Sequence, residues 1–448
     1  MDEKVQKVLD YIEEHKEEYL ELLLRFCRQP SIAATGEGIE KMAGMVVDEL
    51  KKLGVEPTVL ETGGSPFIYG EIKGEVDRTF GFYDHYDVQP VDPIDEWITP
   101  PYSADIRDGV IYARGVADNK DGLVTRLCAV DAWQKVHGKL PLNVKFCFEG
   151  EEESGSPHLE SVAKAHPEMI QCDGYVWEGG HREKGGPAEI TMGVKGLLYV
   201  ELHAKVSEKD AHSMYAAIMP SAVWHLVEAL NTLRDKTGKI LIDGFYDGIQ
   251  PISQAELDAL KTDVFSEEDT KKNILGIEKF INDEHGEDLL KRLYYQPTCN
   301  ICGITAGYQG EGSKTVLPGK ASCKIDFRLV PGQEPDRILK LLRQHLDKHG
   351  FADIEIKCHS GCPAFRSDPN SPFCKAIVRH EQPCIQCTSG GTSPMYVFCK
   401  EANIPAAMFG ASSKNANIHS PNEHLAVDAF YDMIRITATM MHEFARQE

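Results

Sequence analysis

GFYDHYDVQP at residues 81–90 and GVIYARGVADNKDG at residues 109–122 decide how the rest of this chain is read. His85, Asp87 and Asp118 each sit just beyond an apolar run, where a strand gives way to a loop and side chains are free to converge. A His and a carboxylate on the ends of neighbouring strands can share a divalent metal, provided further carboxylates and a second His join them. The later runs supply them in order. FEGEEESGS brings Glu152 and Glu153, VWEGG brings Glu178, and NIHSPNEH brings His419, each directly after a predicted strand.

Working outward, the flanking segments alternate between two periodicities. Val5, Val8, Leu9 and Ile12 recur at helical spacing, and a Leu-rich continuation to Cys27 predicts a first helix or helix pair. Ile39, Met42, Val46, Leu50 and Leu53 predict an amphipathic helix closed by Gly54. Short strands are expected at Thr58 to Glu61, Phe67 to Ile72, Thr79 to Tyr83, Leu142 to Phe148 and Gly174 to Trp177, with helices at Leu123 to Val136 and near His158 to Ala165. Strands alternating with helices imply an α/β fold with a mixed, largely parallel sheet covered on both faces. In such sheets the functional crevice lies beyond the carboxyl ends of the strands, where His85, Glu152, Glu153 and Glu178 all fall.

From Leu198 to about Ser360 the pattern changes to strand, helix, strand, strand, helix, strand. This βαββαβ order is that of a ferredoxin-like sandwich. A charged segment from Asp235 to about Gln296 is read as a partly helical insertion within it. After Pro372 the α/β pattern returns, with a helix from Phe373 to His380, a strand from Ile404 to Phe409 and a final helix from Val427. His419 follows that returning strand, so the first and last parts are expected to form one discontinuous domain. The divisions are 1–194, 195–372 and 373–448, with the middle part inserted.

The 448 residues exceed what one ordinary core accommodates, and the net charge of −22 disfavours binding to nucleic acid or an anionic membrane. No apolar run approaches the roughly 20 residues of a membrane span, and the acidic N-terminus does not read as a signal or transit peptide, so a cytoplasmic protein is expected. Thirteen cysteines, an odd number scattered through predicted elements, fit free thiols in a reducing compartment. The pairs Cys299/Cys302 and Cys384/Cys387 are far apart, and residues three apart on a strand face opposite ways, which argues against structural zinc. Each chemical residue has a plainer reading: a lone His after a strand is usually structural, and an acidic EEE run is usually a solvated turn. Here the run follows an alternating strand and precedes the turn residue Gly155, which favours function for Glu152 and Glu153. Glu151 is expected to be solvated.

Eight motifs together resemble the M20 family of co-catalytic metallopeptidases and amidohydrolases, in particular its carnosinase-like dipeptidases. They are HYDVQP at 85–90, ARGVADNKDG at 113–122, EEESGS at 151–156, DAHSM at 210–214, KTVLP at 314–318, DFRLVP at 326–331, SGGTSP at 389–394 and NIHSPNEH at 417–424. The resemblance runs along nearly the whole chain. It implies two divalent ions, Zn²⁺ or Mn²⁺, bridged by Asp118, with His85 and Glu178 completing one site and Glu153 and His419 the other. Asp87 would orient the His85 imidazole, and Glu152 would act as general base. The inserted part would serve as lid and dimerisation domain of a homodimer, with His212 reaching across the interface to a tetrahedral oxyanion. Arg328 would capture a substrate carboxylate in a pocket completed by Thr315 and by the Gly390, Gly391 and Thr392 turn.

The resemblance implies hydrolysis of an amide bond in a small peptide or an N-acyl amino acid. Motif content favours a dipeptidase, whereas Glu in place of Asp at position 178 goes more often with deacylases and carboxypeptidases. Asp84 stands where the family has a small residue and adds a negative charge beside the site. Two rival classes are weighed against this reading. A non-catalytic small-molecule binder on the same scaffold would have lost the base or a ligand, yet every position is filled. A phosphoesterase would need more cationic anchors than Arg328 and a phosphate-cradling loop before a helix.

Overall fold

The computed structural model describes residues 2–182, 186–378 and 384–447. Its organising element is an eight-stranded mixed sheet whose spatial order is Thr58–Leu60, Phe67–Ile72, Leu142–Glu149, Val76–His85, Gly174–Trp177, Ala406–Met408, Glu189–Thr191 and Cys384–Gln386. The central four strands are parallel. Antiparallel pairs lie to either side and the outermost pair, Glu189–Thr191 with Cys384–Gln386, is parallel again, so the sheet is mixed, as expected. The short link from Leu60 to Phe67 is a hairpin connection, which can only join antiparallel strands.

The strand Leu142–Glu149 is buried at all eight positions, as a strand covered on both faces must be. The helix Lys120–His137 is buried over thirteen residues from Lys120 to Trp133 and packs against Val427–Ala445. Trp133 Nε1 donates to the Ala438 carbonyl at 2.8 Å, which satisfies the one polar atom of a buried ring. The N-terminal helices Glu3–Glu14 and Lys16–Cys27 and the helix Ile39–Lys52 add Val8, Leu23, Phe26, Met42 and Val46 to the same core. The predicted helix Phe373 to His380 is observed as Pro372–Ile377; its expected end lies outside the described residues.

A second sheet, wholly antiparallel, has the order Thr298–Ala306, Lys320–Leu329, Gly196–Lys205, Glu355–Cys362. Strand Gly196–Lys205 alternates buried and half-buried positions along its length, the period of a sheet covered on one face. The helices Ala222–Leu233 and Pro335–Lys348 cover that face, enclosing Leu198, Val200, Leu226, Ile325, Phe327 and Leu342. The charged segment between Leu233 and Thr298 contains the helices Gln254–Leu260 and Gly286–Tyr295. It leaves its own sheet to cover the last strand of the first one: Leu260, Tyr294 and Tyr295 pack with Cys387, and Ile385 donates its N–H to Thr262 Oγ1 at 3.0 Å. An uncovered edge strand invites pairing with other chains, and this segment removes that exposure. All thirteen cysteines are free; Cys299 is buried in the second core while Cys302 is exposed on the other face. No helix of the described residues is long and apolar enough to cross a membrane.

Candidate metal centre

Parallel register brings the functional ends of three strands to one edge. His85 pairs with Glu149, and Phe82 with Val176, so His85, the turn after Glu149 and Glu178 emerge side by side. Asp118 arrives on the loop that enters the helix Lys120–His137. His419 arrives on a turn in which Asn417, His419 and Asn422 all have positive φ, of 55°, 61° and 62°. Asn and His are among the non-glycine residues found most often in that conformation, which still costs about 1–3 kcal/mol each and must be held by its surroundings. The result is an imidazole turned back toward Asp118.

The two oxygens of Asp118 face two different imidazoles. Oδ1 lies 3.1 Å from His85 Nε2, 33 residues away, and Oδ2 lies 3.0 Å from His419 Nε2, 301 residues away. Glu153 Oε2 is also 3.0 Å from His419 Nε2. Two sets of possible ligand atoms follow, His85 with Asp118 and Glu178, and Asp118 with Glu153 and His419, each within 4.8 Å of one another. They share Asp118. Two imidazoles and three carboxylates, with no thiolate, form a donor set suited to borderline and hard divalent cations.

The charge balance points the same way. Burial is the largest influence on Glu152 and lifts its pKa to about 7; His85 opposes this, while Asp118, Glu153 and Asp87 add to it. Burial and the neighbouring Glu152 push Glu178 well above the usual carboxylate range. Hydrogen bonds to Asp118 and Glu153 raise His419 to about 10. Burial raises Asp118, but His419 and His85 outweigh it and hold the carboxyl well below its ordinary value. Buried carboxylates packed around two imidazoles concentrate negative charge of a kind that a divalent cation would balance.

The surrounding contacts fix these groups in place. Asp87 is fully buried, and its carboxylate accepts the backbone N–H groups of Glu152 at 3.3 Å and Glu153 at 3.0 Å. Its Oδ1 is 3.3 Å and its backbone oxygen 3.1 Å from His85 Nδ1, so one residue orients an imidazole and anchors the acidic turn. Gln89 donates to Glu153 Oε2 at 2.9 Å, a contact that the HYDVQP motif contained but that gave no signal of its own. Glu151 departs from the expected solvation: it packs against Gly64 and is paired with His158 at 2.8 Å, because the turn folds it back over the sheet end.

Glu423 and Arg114 were not anticipated at all. Glu423 is fully buried and accepts the Arg114 guanidinium at 2.7 Å and the backbone N–H groups of Gly115 at 2.8 Å, Ala117 at 2.8 Å and Asp118 at 3.1 Å. Arg114 also donates to the Pro90 carbonyl at 3.0 Å, so the pair ties together the loops that carry His85, Asp118 and His419. The additional charge of Asp84 is answered by Asn119, which donates to it at 3.2 Å, and by the buried Arg126, whose Nε lies 3.8 Å from its Oδ2.

The remaining candidate residues form two other groups. Arg328 Nη1 donates to Thr392 Oγ1 at 2.7 Å, and the Gly391 carbonyl accepts the Lys195 N–H at 2.8 Å. Thr315 is not part of that group within the chain. A two-residue ladder pairs Ala211 and His212 with Leu317 and Val316, and the Thr315 carbonyl accepts the Ser213 N–H at 3.2 Å, so Thr315 sits beside His212. His212 is exposed and its Nδ1 accepts the Met214 N–H at 3.1 Å; it is not among the groups that converge on Asp118.

Fold and site together define an α/β protein with two groups of possible metal ligands at the carboxyl edge of its sheet, and comparison with known proteins gives that class a family. Residues 81–443 match the model of peptidase family M20/M25/M40, and the chain belongs to that family. It is a hydrolase of peptide bonds. The mouse (Mus musculus) Beta-Ala-His dipeptidase is 31% identical over 369 residues, covering 77% of this chain and 73% of the mouse protein. The Cys-Gly metallodipeptidase DUG1 of Candida albicans is 28% identical and covers 99% of this chain and 98% of its own length. Among solved structures, the M20 family metallo-carboxypeptidase Sso-CP2 from Sulfolobus solfataricus superposes with a TM-score of 0.88 at 37% identity, covering 96% of this chain and 99% of that one.

Proposed function

We infer that this chain hydrolyses the amide bond of dipeptides or similarly small substrates that carry a free carboxylate. The observation behind this reading is the shared Asp118, whose two oxygens meet imidazoles from opposite ends of the chain. His85 and Glu178 would hold one divalent ion with Asp118, and Glu153 and His419 a second. Bound there, two ions, Zn²⁺ or Mn²⁺, would lower the pKa of water and polarise the scissile carbonyl.

The protein's own groups supply the rest. Glu152 takes a proton from the attacking water on its carboxylate and gives it to the leaving amine nitrogen, a role that calls for a pKa near the working pH. Asp87 holds that carboxylate's backbone in place through its bond to the Glu152 N–H. Arg328 and Thr392 bind the substrate carboxylate, and the Gly390 and Gly391 turn leaves room for it. The dipeptidase activity of the mouse and Candida relatives supports this substrate class.

Residues 1–194 and 373–448 form the catalytic domain in this reading, and residues 195–372 a lid that also dimerises. Ile218 is 81% exposed, Met214 70% and Trp224 68%, an apolar group of a kind that a soluble surface seldom leaves uncovered. A second copy covering it would bring His212, with Thr315 beside it, to the partner's site as oxyanion donor.

Replacing Glu152 by Ala should preserve the fold and the bound metal, measured by elemental analysis, and reduce kcat by about 10²–10⁴-fold. A variant that turns over near the wild-type rate would remove Glu152 from the base role. A second reading, carboxypeptidase or N-acyl-amino-acid deacylase, is favoured by Glu178 and by the likeness to Sso-CP2. A side-by-side assay of dipeptides, N-acetyl amino acids, N-blocked peptides and a phosphate ester separates these, since only the dipeptidase requires a free amine one residue from the scissile bond.

A further inference from the structure

The segment that covers the edge strand also places an apolar side chain against the glycine turn. In the helix Gly286–Tyr295, Leu289, Tyr294 and Tyr295 are buried, but Leu293 is 39% exposed. A methyl group built on Gly390 would lie 3.6 Å from Leu293 Cδ1, ordinary contact distance, so the absent Gly390 side chain leaves a gap bounded by Leu293. Both walls of that gap are fixed by one residue. Lys195 donates its backbone N–H to the Gly391 carbonyl at 2.8 Å and its Nζ to the carbonyls of Leu293 at 2.7 Å and Gln296 at 2.6 Å. Arg328 and Thr392 stand at the other end of the same turn.

We propose that Leu293 forms the wall against which the side chain of the substrate's carboxylate-bearing residue rests, and so sets a preference for apolar residues there. The inference depends on Arg328 and Thr392 binding that carboxylate. With the carboxylate held at Thr392, the Cα that bears it lies close to the turn, and its side chain leaves toward Leu293, the partly exposed apolar side chain fixed beside Gly390. A leucine wall favours a leucine or phenylalanine side chain, and excludes an aspartate or a lysine because neither finds a polar partner on it.

The test exchanges the charge of the wall and measures ratios of kcat/KM on the metal-loaded full chain, so that a reduced folded fraction cancels. Leu293→Asp should move the ratio of alanyl-lysine to alanyl-leucine upward by about tenfold or more, and Leu293→Lys should do the same for alanyl-aspartate against alanyl-leucine. Reciprocal gains of this kind do not arise from general damage. Ratios that stay within about twofold of wild type in both variants overturn the assignment of Leu293. Alanyl-leucine amide serves as the control for the reading beneath it: if the wild-type protein cleaves the amide as well as the acid, the carboxylate anchor itself falls. Discrimination against the amide together with unmoved ratios removes Leu293 alone.

Discussion

Asp118 shows how residue chemistry and residue position divide the work. Any Asp offers two oxygens, but this one can face two imidazoles only because its loop is held by a carboxylate far along the chain. The buried Glu423 carboxylate accepts the backbone N–H groups of Gly115, Ala117 and Asp118 in that loop and the Arg114 guanidinium. Glu423→Gln would replace one acceptor oxygen by a donor facing the same N–H groups and leave Arg114 buried without its counter-charge. The expected result is a loss of metal affinity of about 10–100-fold, measured by chelator competition, with the site residues themselves untouched. Affinity equal to wild type would show that the loop holds its shape without Glu423. Asp84 illustrates the converse: a carboxyl beside such a site is accommodated because Asn119, just before the helix Lys120–His137, and Arg126 within it face it.

At the scale of elements, the apolar packing of Tyr294 and Tyr295 that seats the helix Gly286–Tyr295 is joined at its C-terminal end by a buried amine. Lys195 Nζ satisfies two carbonyls at its C-terminal end, and burial, with Arg328 adding, depresses its pKa from 10.5 to about 8. The folded form therefore binds this proton more weakly than the unfolded form. Below pH 8 the folded protein carries the cost of a buried charge; between about pH 8 and 10.5 the amine is neutral when folded but still protonated when unfolded, so its contribution to stability rises with pH by about 1.4 kcal/mol per unit. Comparing wild type with Lys195→Met by denaturant melts across that window should show the wild type gaining stability relative to the variant as pH rises. A difference that stays constant or moves against the wild type would mean that the amine is not desolvated.

At the scale of the whole molecule, the site as proposed is incomplete in one chain. His212 lies with Thr315 on an exposed ladder, apart from the cluster around Asp118. If a second copy supplies it, mixing inactive Glu152→Ala chains with inactive His212→Ala chains, after subunit exchange, should restore activity that neither has alone. Trp224→Glu should at the same time shift the sedimentation coefficient to that of a monomer. Mixtures that remain inactive while still sedimenting as dimers would confine the chemistry to one chain.

The ligand types, their order and the strands that present them were legible in the amino-acid sequence. Apolar runs mark the strands, and a His or carboxylate at the end of each stands out because nothing in the strand itself requires it. Helix and strand bounds such as Gly174–Trp177 could likewise be read from local periodicity. Local patterns carry no information about pairing between distant segments. Only the tertiary structure decided where antiparallel pairs interrupt the parallel sheet, that Glu423 and Arg114 clamp three loops, that Glu151 folds back on His158, and that Thr315 stands with His212. Each depends on which segments, hundreds of residues apart, come into contact, and that is set by how the whole core packs.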